Sequence, residues 1–221
     1  MGNIHTQTID LFVSDSVGTV SAKHTAPEAP QCILTLAHGA GAGMDHAFME
    51  ALADALADTA IATLRFNFPF AEHGKGRPDR PATAHATVAA AIAKAKELLP
   101  GLPLFVGGKS FGGRMSSQYL AANPDKTVKG LVFYGFPLHP AGKPGTERAD
   151  HLRLLQLPML FLQGTKDALA TWTLMEKVCG ALPTASLVAF DGIDHSFRAG
   201  RADIIARLAG ETGHWIPDSN R

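Results

Sequence analysis

A serine flanked by glycines is the feature of this sequence with the clearest chemistry. Residues 107–113 read GGKSFGG, so glycines stand two positions before and two positions after Ser110. A serine in a sharp turn between a strand and a helix exposes its hydroxyl at the helix N-terminus, and the crowded turn leaves no room for Cβ atoms at those two positions. The pattern therefore predicts that Ser110 is a nucleophile.

A serine nucleophile needs a base, and the base needs an acid to orient it. Of ten histidines, His195 is the best placed, because it follows the last predicted strand in the segment FDGIDHSF at 190–197. For the acid we favour Asp167, which follows the preceding strand and gives the chain order Ser, Asp, His. Asp191 and Asp194 are the alternatives, although Asp194 adjoins His195 and is better suited to shaping the turn.

Attack by a serine places negative charge on the substrate oxygen, and backbone N–H groups can bind that charge. The segment HGAGAG at 38–43 follows a predicted strand, and its small side chains let its N–H groups approach such an oxygen. We predict that the N–H groups of Ala40 and Phe111 are the oxyanion donors, with Gly41 as the next choice. We interpret His38 as a structural residue beside the site.

Two glycine-rich segments come close to nucleotide-binding motifs without matching them. The segment GKS at 108–110 ends like a phosphate-binding loop, but Pro103 occupies the position of the first glycine and a predicted strand lies between. The segment at 39–44 would need glycine in place of Met44 to match a dinucleotide fingerprint. The histidine spacings suggest no closed zinc site. We therefore predict no cofactor and no metal.

The elements that would position these residues alternate along the chain. Short β-branched or aromatic runs alternate with longer segments of helical spacing, which is typical of βα units around a mostly parallel sheet. Residues 1–25 predict an antiparallel hairpin at the sheet edge. The predicted strands, each buried on both faces, are 33–37, 61–66, 104–107, 131–134, 159–162 and 186–190. The predicted helices lie around 46–58, 83–99, 112–122, 171–182 and 201–210.

Charged and polar residues near these elements have more ordinary interpretations. Asp45 is predicted to cap the helix that follows it, and His46 to lie at the mouth of the site. The loop at 71–81 is interpreted as a solvated loop, with the presentation of cations to an acidic substrate as the alternative. Cys32 and Cys179 are interpreted as small apolar core residues, which suits a reducing compartment.

Length and composition bound the class of protein. The chain has 221 residues, of which 46% are hydrophobic and 18% charged, as in ordered globular proteins. No repeat or linker divides it, so we predict a single domain over residues 1–221. Lys and Arg together number 20, and so do Asp and Glu, so the formal net charge is zero. This balance does not supply the basic surface that nucleic-acid binding requires. Without a predicted membrane span or signal peptide, we expect a cytoplasmic protein that binds neither nucleic acid nor membranes.

Four segments carry a family resemblance: HGAGAGMDHAF at 38–48, LRFNFPF at 64–70, GGKSFGGRM at 107–115 and GIDHSF at 192–197. With them the sequence resembles the α/β-hydrolase superfamily over nearly its whole length, and more narrowly its small, lid-less, dienelactone-hydrolase-like group. The resemblance implies a mostly parallel sheet of about seven or eight strands flanked by helices, a Ser–His–Asp triad and hydrolysis of an ester-like bond. Dienelactone hydrolases carry Cys at the position that Ser110 occupies here.

The short connection at 135–158 is too small for the cap domain that many relatives insert there, so we predict an open site. The predicted function is that of a carboxylesterase-type serine hydrolase acting on a small-molecule acyl substrate. A thioesterase, a peptidase or an acyltransferase would use the same triad, and a non-catalytic binding scaffold on the same fold is the alternative from another class. The sequence leaves the oligomeric state open.

Overall fold

The fold is an eight-stranded sheet with helices on both faces. The computed structural model describes residues 3–198 and 201–219. The strands are β1 (Ile4–Ser14), β2 (Gly18–Pro27), β3 (Cys32–Ala37), β4 (Ile61–Phe66), β5 (Leu104–Lys109), β6 (Val128–Tyr134), β7 (Met159–Gly164) and β8 (Ala185–Phe190). The helices are α1 (Ala47–Asp58), α2 (Pro69–Glu72), α3 (Pro81–Leu98), α4 (Phe111–Ala122), α5 (Trp172–Gly180) and α6 (Arg201–Ser219), with a 3₁₀ helix at Glu147–Leu154.

The strand order β1-β2-β4-β3-β5-β6-β7-β8 contains a reversal in the middle of the sheet. β2 is antiparallel to both β1 and β4, and all the other neighbouring strands are parallel. From β3 the chain proceeds to β4 on one side and then crosses back to β5 on the other side. Ligands of such sheets bind outside the carboxyl ends of the strands at the reversal. The ends of β3 and β5 therefore mark the expected place of a site.

Two hydrophobic layers, one on each face of the sheet, form the core. One layer packs against α3, α4 and α5 through residues such as Val88, Met115 and Met175. The other packs against α1 and α6 through residues such as Leu52 and Leu208. Because helices cover both faces, β3, β4, β5, β6 and β7 consist almost entirely of buried residues.

The predicted mostly parallel sheet, the flanking helices and the edge hairpin are confirmed. Between β6 and β7 the described chain forms only loops and the 3₁₀ helix, so the expectation of a fold without a cap domain is also confirmed. The prediction that the strand at 186–190 is buried on both faces is wrong. β8 pairs with β7 alone and forms an edge, and Phe190 is its one buried residue.

The last helix is longer than predicted because two glycines do not end it. α6 continues past Gly210 and Gly213, and the helical spacing of buried residues extends to Ile216. A Cβ on Gly213 would lie 3.1 Å from the side chain of Thr59, so the glycine lets α6 approach the end of α1. Among the described helices, α6 included, none is both long and apolar enough to cross a membrane.

The two cysteines are buried and unpaired, on β3 and on α5. Burial raises the pKa of the Cys32 thiol and of the Cys179 thiol to about 12. Both thiols therefore stay protonated at neutral pH and act as small apolar side chains, in agreement with the interpretation from the sequence.

Two consecutive glycines let β5 pack closely between its neighbours. A Cβ on Gly108 would lie 2.3 Å from the carbonyl oxygen of Ala37 on β3, nearer than real Cβ atoms come. A Cβ on Gly107 would lie 2.2 Å from the carbonyl oxygen of Val132 on β6. The backbone is therefore tightly packed just before the chain turns from β5 into α4.

We expect Gly108→Ala to lower the free energy of unfolding by about 2 to 3 kcal/mol, because the added methyl group must displace the backbone of β3. Urea denaturation measures the change. Gly210→Ala is the matched control, since nothing lies within 4 Å of its added Cβ and alanine favours the helix by up to about 1 kcal/mol. Wild-type stability in Gly108→Ala would contradict the proposed crowding.

Candidate active site

Ser110 occupies the turn between β5 and α4. Its φ of 51° and ψ of −115° lie outside the regions that L-residues normally adopt. Strain of this kind costs roughly 1–3 kcal/mol and is concentrated at functional sites. A Cβ on Gly112 would lie 2.5 Å from the oxygen of Ala37 and 2.6 Å from the oxygen of His38. This geometry agrees with the predicted need for glycine two positions before and after the serine.

The hydroxyl of Ser110 contacts an imidazole whose other nitrogen contacts a carboxylate. The Oγ of Ser110 is 2.8 Å from the Nε2 of His195, and the Nδ1 of His195 is 2.6 Å from the Oδ2 of Asp167. Because a carboxylate only accepts hydrogen bonds, Nδ1 carries the proton and Nε2 can accept from the serine hydroxyl. The structure thus brings the three predicted residues together from the ends of β5, β7 and β8.

The carboxylate of Asp167 is fully buried and has three donors. Besides His195, the Nε2 of Gln163 donates to Oδ2 at 2.6 Å and the N–H of Leu169 donates to Oδ1 at 2.7 Å. Gln163 in turn accepts from the N–H of Phe136 at 2.8 Å. These bonds compensate the burial of the carboxylate and fix its orientation. Gln163 was not predicted from the sequence. A polar side chain near the end of an otherwise apolar strand is the feature that could have pointed to it.

The two alternative acids have other surroundings. The Oδ1 of Asp194 accepts from the N–H of Ser196 at 2.8 Å, so this side chain shapes the turn, as expected. Asp191 is exposed. Within the described chain, the carboxylate that contacts the imidazole of His195 belongs to Asp167.

The loop after β3 lies against Ser110 and lines the cleft. Ala40 is exposed and lines the cleft beside Ser110, together with Gly41. Phe111 is the first residue of α4, so its N–H has no acceptor within the helix. Neither the N–H of Ala40 nor that of Phe111 has an acceptor among the described residues. Both predicted donors are therefore available to a substrate oxygen.

His38 supports this loop from the interior. It is fully buried, its Nε2 accepts from the N–H of Phe68 at 3.0 Å, and its Nδ1 donates to the oxygen of Gly39 at 2.8 Å. The ring centres of Phe68 and Phe70 lie 5.1 and 5.4 Å away. Burial lowers the pKa of His38 to about 4, although the bond to Gly39 opposes the shift. The imidazole is neutral at neutral pH and has the structural role expected of it.

The prediction that Asp45 caps α1 is wrong. His46 is the N-cap residue, and its Nδ1 accepts from the N–H of Phe48 at 3.2 Å. Asp45 instead forms an ion pair at 2.7 Å with Lys23, which is on β2. His46 also lines the cleft, as expected for a residue at its mouth.

A cleft of about 320 Å³ lies in front of Ser110. Its apolar lining comes from side chains that include Phe48, Met49 and Leu169, and Arg198 contributes a charged group. The side chain of His195 is 24% exposed, so the cleft is open to solvent. Among the described residues, no three His, Cys, Asp or Glu side chains are grouped so that they could hold a metal ion.

The loop at 71–81 is largely exposed, in agreement with its interpretation as a solvated loop. Its carboxylates have partners within the protein: Glu72 accepts from Asn67 at 2.8 Å, and Asp79 accepts from the N–H of Phe70 at 3.0 Å. The cations of this loop do not line the cleft in front of Ser110.

Comparison with known proteins identifies the family. A family model described as an alpha/beta hydrolase domain matches residues 30–206. The chain belongs to this family. Among solved structures, the chain is similar to an alpha-beta serine hydrolase homologue from Coxiella burnetii, with a TM-score of 0.75 and 21% identity over 96% of this chain and 98% of that one.

Two further structures share the fold of this α/β hydrolase. A dienelactone hydrolase from Anabaena variabilis has a TM-score of 0.77 and 17% identity, and the match covers 97% of this chain and 98% of that one. An α/β serine hydrolase without a lid from Xanthomonas campestris has a TM-score of 0.75 and 22% identity, with coverages of 96% and 95%. The resemblance seen in the sequence is confirmed, and at these identities the structural likeness concerns the fold.

We expect the buried His38 to make the stability of this protein depend on pH. The unfolded chain binds a proton here near pH 6.5, whereas the folded protein binds it near pH 4. As the pH falls through this interval, unfolding takes up a proton, so the free energy of unfolding falls by up to about 3 kcal/mol from this group. His38→Asn should reduce that fall, which urea denaturation at about pH 7 and pH 4.5 measures. Equal falls in the wild type and the variant would contradict this assignment.

Proposed function

We propose that this protein is a serine hydrolase that cleaves an ester-like acyl bond through a covalent acyl-enzyme. The observation that carries the proposal is the hydrogen-bonded series from Ser110 through His195 to Asp167, with distances of 2.8 and 2.6 Å. Such a series activates a serine hydroxyl on several unrelated folds. The proteins of similar fold that are named as a lid-less serine hydrolase and a dienelactone hydrolase support the hydrolase class.

In the first half of the proposed reaction, the Oγ of Ser110 forms a bond to the acyl carbon while its proton passes to the Nε2 of His195. The carboxylate of Asp167 stabilises the imidazolium that results. The carbonyl oxygen becomes an oxyanion, to which the N–H groups of Ala40 and Phe111 donate. The bond to the leaving alcohol then breaks, and His195 gives its proton to the departing oxygen.

In the second half, water releases the acyl group. A water molecule in the open cleft gives a proton to the Nε2 of His195 as its oxygen attacks the acyl carbon. The bond between that carbon and the Oγ of Ser110 breaks, and the serine recovers its proton from His195. The products are an alcohol and a carboxylic acid, and these steps need neither a cofactor nor a metal.

We propose a small-molecule ester as the substrate, because the cleft is small and mainly apolar. Its volume of about 320 Å³ is near the lower end of the range for small-molecule sites. The side chains of Phe48, Met49 and Leu169 offer apolar contacts to a short acyl group. A panel of short esters, thioesters and lactones, ranked by kcat/KM, tests the preference for an ester.

Replacement of the nucleophile is the direct test of the proposal. We expect Ser110→Ala to lower kcat/KM for p-nitrophenyl acetate by at least about 10³-fold, because the covalent route is lost. A fluorophosphonate probe should modify Ser110 in the folded wild-type protein, as peptide mass spectrometry shows. Ser186→Ala, which removes an exposed serine from β8, should retain both turnover and labelling. Undiminished turnover in Ser110→Ala would show that another group carries the reaction. A wild type that neither hydrolyses the ester nor reacts with the probe would indicate a binding scaffold.

The proposed acid has its own matched pair of variants. Asp167→Asn keeps the shape of the side chain but replaces an acceptor oxygen with a donor, which disfavours the productive tautomer of His195. We expect kcat to fall by about 10³- to 10⁴-fold. Asp191→Asn makes the same change at the exposed alternative acid and should leave kcat within about twofold. Similar losses in both variants would contradict the choice of Asp167.

A further inference from the structure

Lys109 precedes Ser110 in the chain, and its side chain contacts the loop that carries His195. The Nζ of Lys109 donates to the backbone carbonyl oxygen of His195 at 2.5 Å. The same nitrogen lies 5.1 Å from the ring centre of Phe197 and 5.9 Å from that of Phe48, within the range of cation–π attraction. One side chain thus connects the β5–α4 turn to the loop between β8 and α6.

The surroundings of this ammonium group are closely packed and carry two negative charges. Asp167 and Asp194 are the acidic groups that face it. Gly135 leaves room for it, since a Cβ there would lie 3.1 Å from Nζ. Burial lowers the pKa of Lys109 to about 8, and the two carboxylates oppose the shift. Partial removal of an ammonium group from water is unfavourable, and the hydrogen bond to His195 and the two carboxylates compensate part of that cost.

The contact closes a ring of bonds around the proposed proton transfer. The peptide bond joins Lys109 to Ser110, and the Oγ of Ser110 lies 2.8 Å from the Nε2 of His195. The carbonyl oxygen of His195 accepts from the Nζ of Lys109, which completes the ring. Two positions further along, Phe197 has a φ of 53°, a strained value for a bulky residue. A strained backbone conformation persists where the surrounding structure fixes it. The charge-assisted hydrogen bond from Lys109 to His195 is strong enough to help fix this loop.

We propose that Lys109 is a positioning residue for the base: its ammonium group holds the backbone of His195 so that Nε2 stays within reach of the Ser110 hydroxyl. The inference rests on the serine hydrolase function proposed above. Lys109 also lines the cleft in front of Ser110. The proposal assigns its ammonium group, which the carbonyl oxygen of His195 and the two aromatic rings engage, to the base and not to the substrate.

Lys109→Met tests the proposal, because methionine keeps much of the length and the apolar contacts but has neither the charge nor the donor. A misplacement of about 1 Å at a reacting group can cost about 10²-fold in rate, so we expect kcat for p-nitrophenyl acetate to fall about 10- to 100-fold. KM should change less than about twofold, since the substrate contacts remain. The rate of fluorophosphonate labelling should fall by a similar factor. Lys129→Met, at an exposed lysine on β6, should leave all three quantities unchanged.

Other results of these experiments separate a failure of the positioning role from a failure of the proposed function. Thermal denaturation establishes that Lys109→Met is folded, and in the folded variant an unchanged kcat overturns the proposal. A raised KM with an unchanged kcat also overturns it, in favour of contact with the substrate. If Ser110→Ala keeps its turnover, the serine hydrolase function itself fails. If Ser110→Ala is inactive while Lys109→Met is fully active, only the positioning role fails.

The wild-type protein provides a second measurement that does not depend on a folded variant. As the pH rises through about 8, the ammonium group of Lys109 loses its charge and its bond to the carbonyl oxygen weakens. The groups that face it from the neighbouring loops are Asp167, Asp194 and the backbone of His195. We therefore expect kcat, corrected for uncatalysed hydrolysis, to fall above this pH while KM changes little. A constant kcat between pH 7 and pH 10 would overturn the proposal.

Discussion

The contact between the end of β3 and the β5–α4 turn determines the geometry of the site. Gly108 and Gly112 place backbone against the carbonyl groups of Ala37 and His38, with no side chain between them. The reversal in strand order makes β3 and β5 neighbours, so this contact forms where two loops leave the same edge of the sheet. Ser110 and the loop after β3 therefore face one cleft, and the available N–H groups of Ala40 and Phe111 come from the two sides of that contact.

Residues whose positions follow from a local motif or from the order of the strands could be predicted from the sequence. Ser110 lies in a motif whose glycines have a local steric cause, and Asp167 and His195 follow strands whose ends meet at one edge. The hydrogen bonds of Gln163 to Phe136 and of Lys109 to His195 join distant parts of the chain, and no local spacing reports them.

The incorrect and incomplete predictions have the same physical origin. The cap on α1 was misassigned because Lys23, on a distant strand, pairs with Asp45. The apolar run of β8 resembles a covered strand, and only the tertiary arrangement shows that it lies at an edge. α6 runs past its glycines because Gly213 packs against Thr59, a contact that spacing within the helix does not reveal. Tertiary contacts override local propensity at each of these places.

The site concentrates features that oppose stability. Ser110 and Phe197 adopt positive φ angles, the carboxylate of Asp167 is fully buried, and burial lowers the pKa of Lys109. Each of these features is unfavourable in isolation, and the two hydrophobic layers on the sheet supply the stability that offsets them. Local rules of protein stability are commonly broken at functional sites, and in this protein these violations lie around one cleft.

The connection between β6 and β7, which forms only loops and a short 3₁₀ helix, leaves the cleft without a cover. An acyl group on Ser110 would therefore stay in contact with bulk water throughout its lifetime. A closed site can protect such an ester from water, and the described fold has no element that closes over this cleft. The acyl-enzyme would accordingly partition toward hydrolysis, and the acid would diffuse away without an opening step, so that chemistry rather than a lid motion would limit turnover.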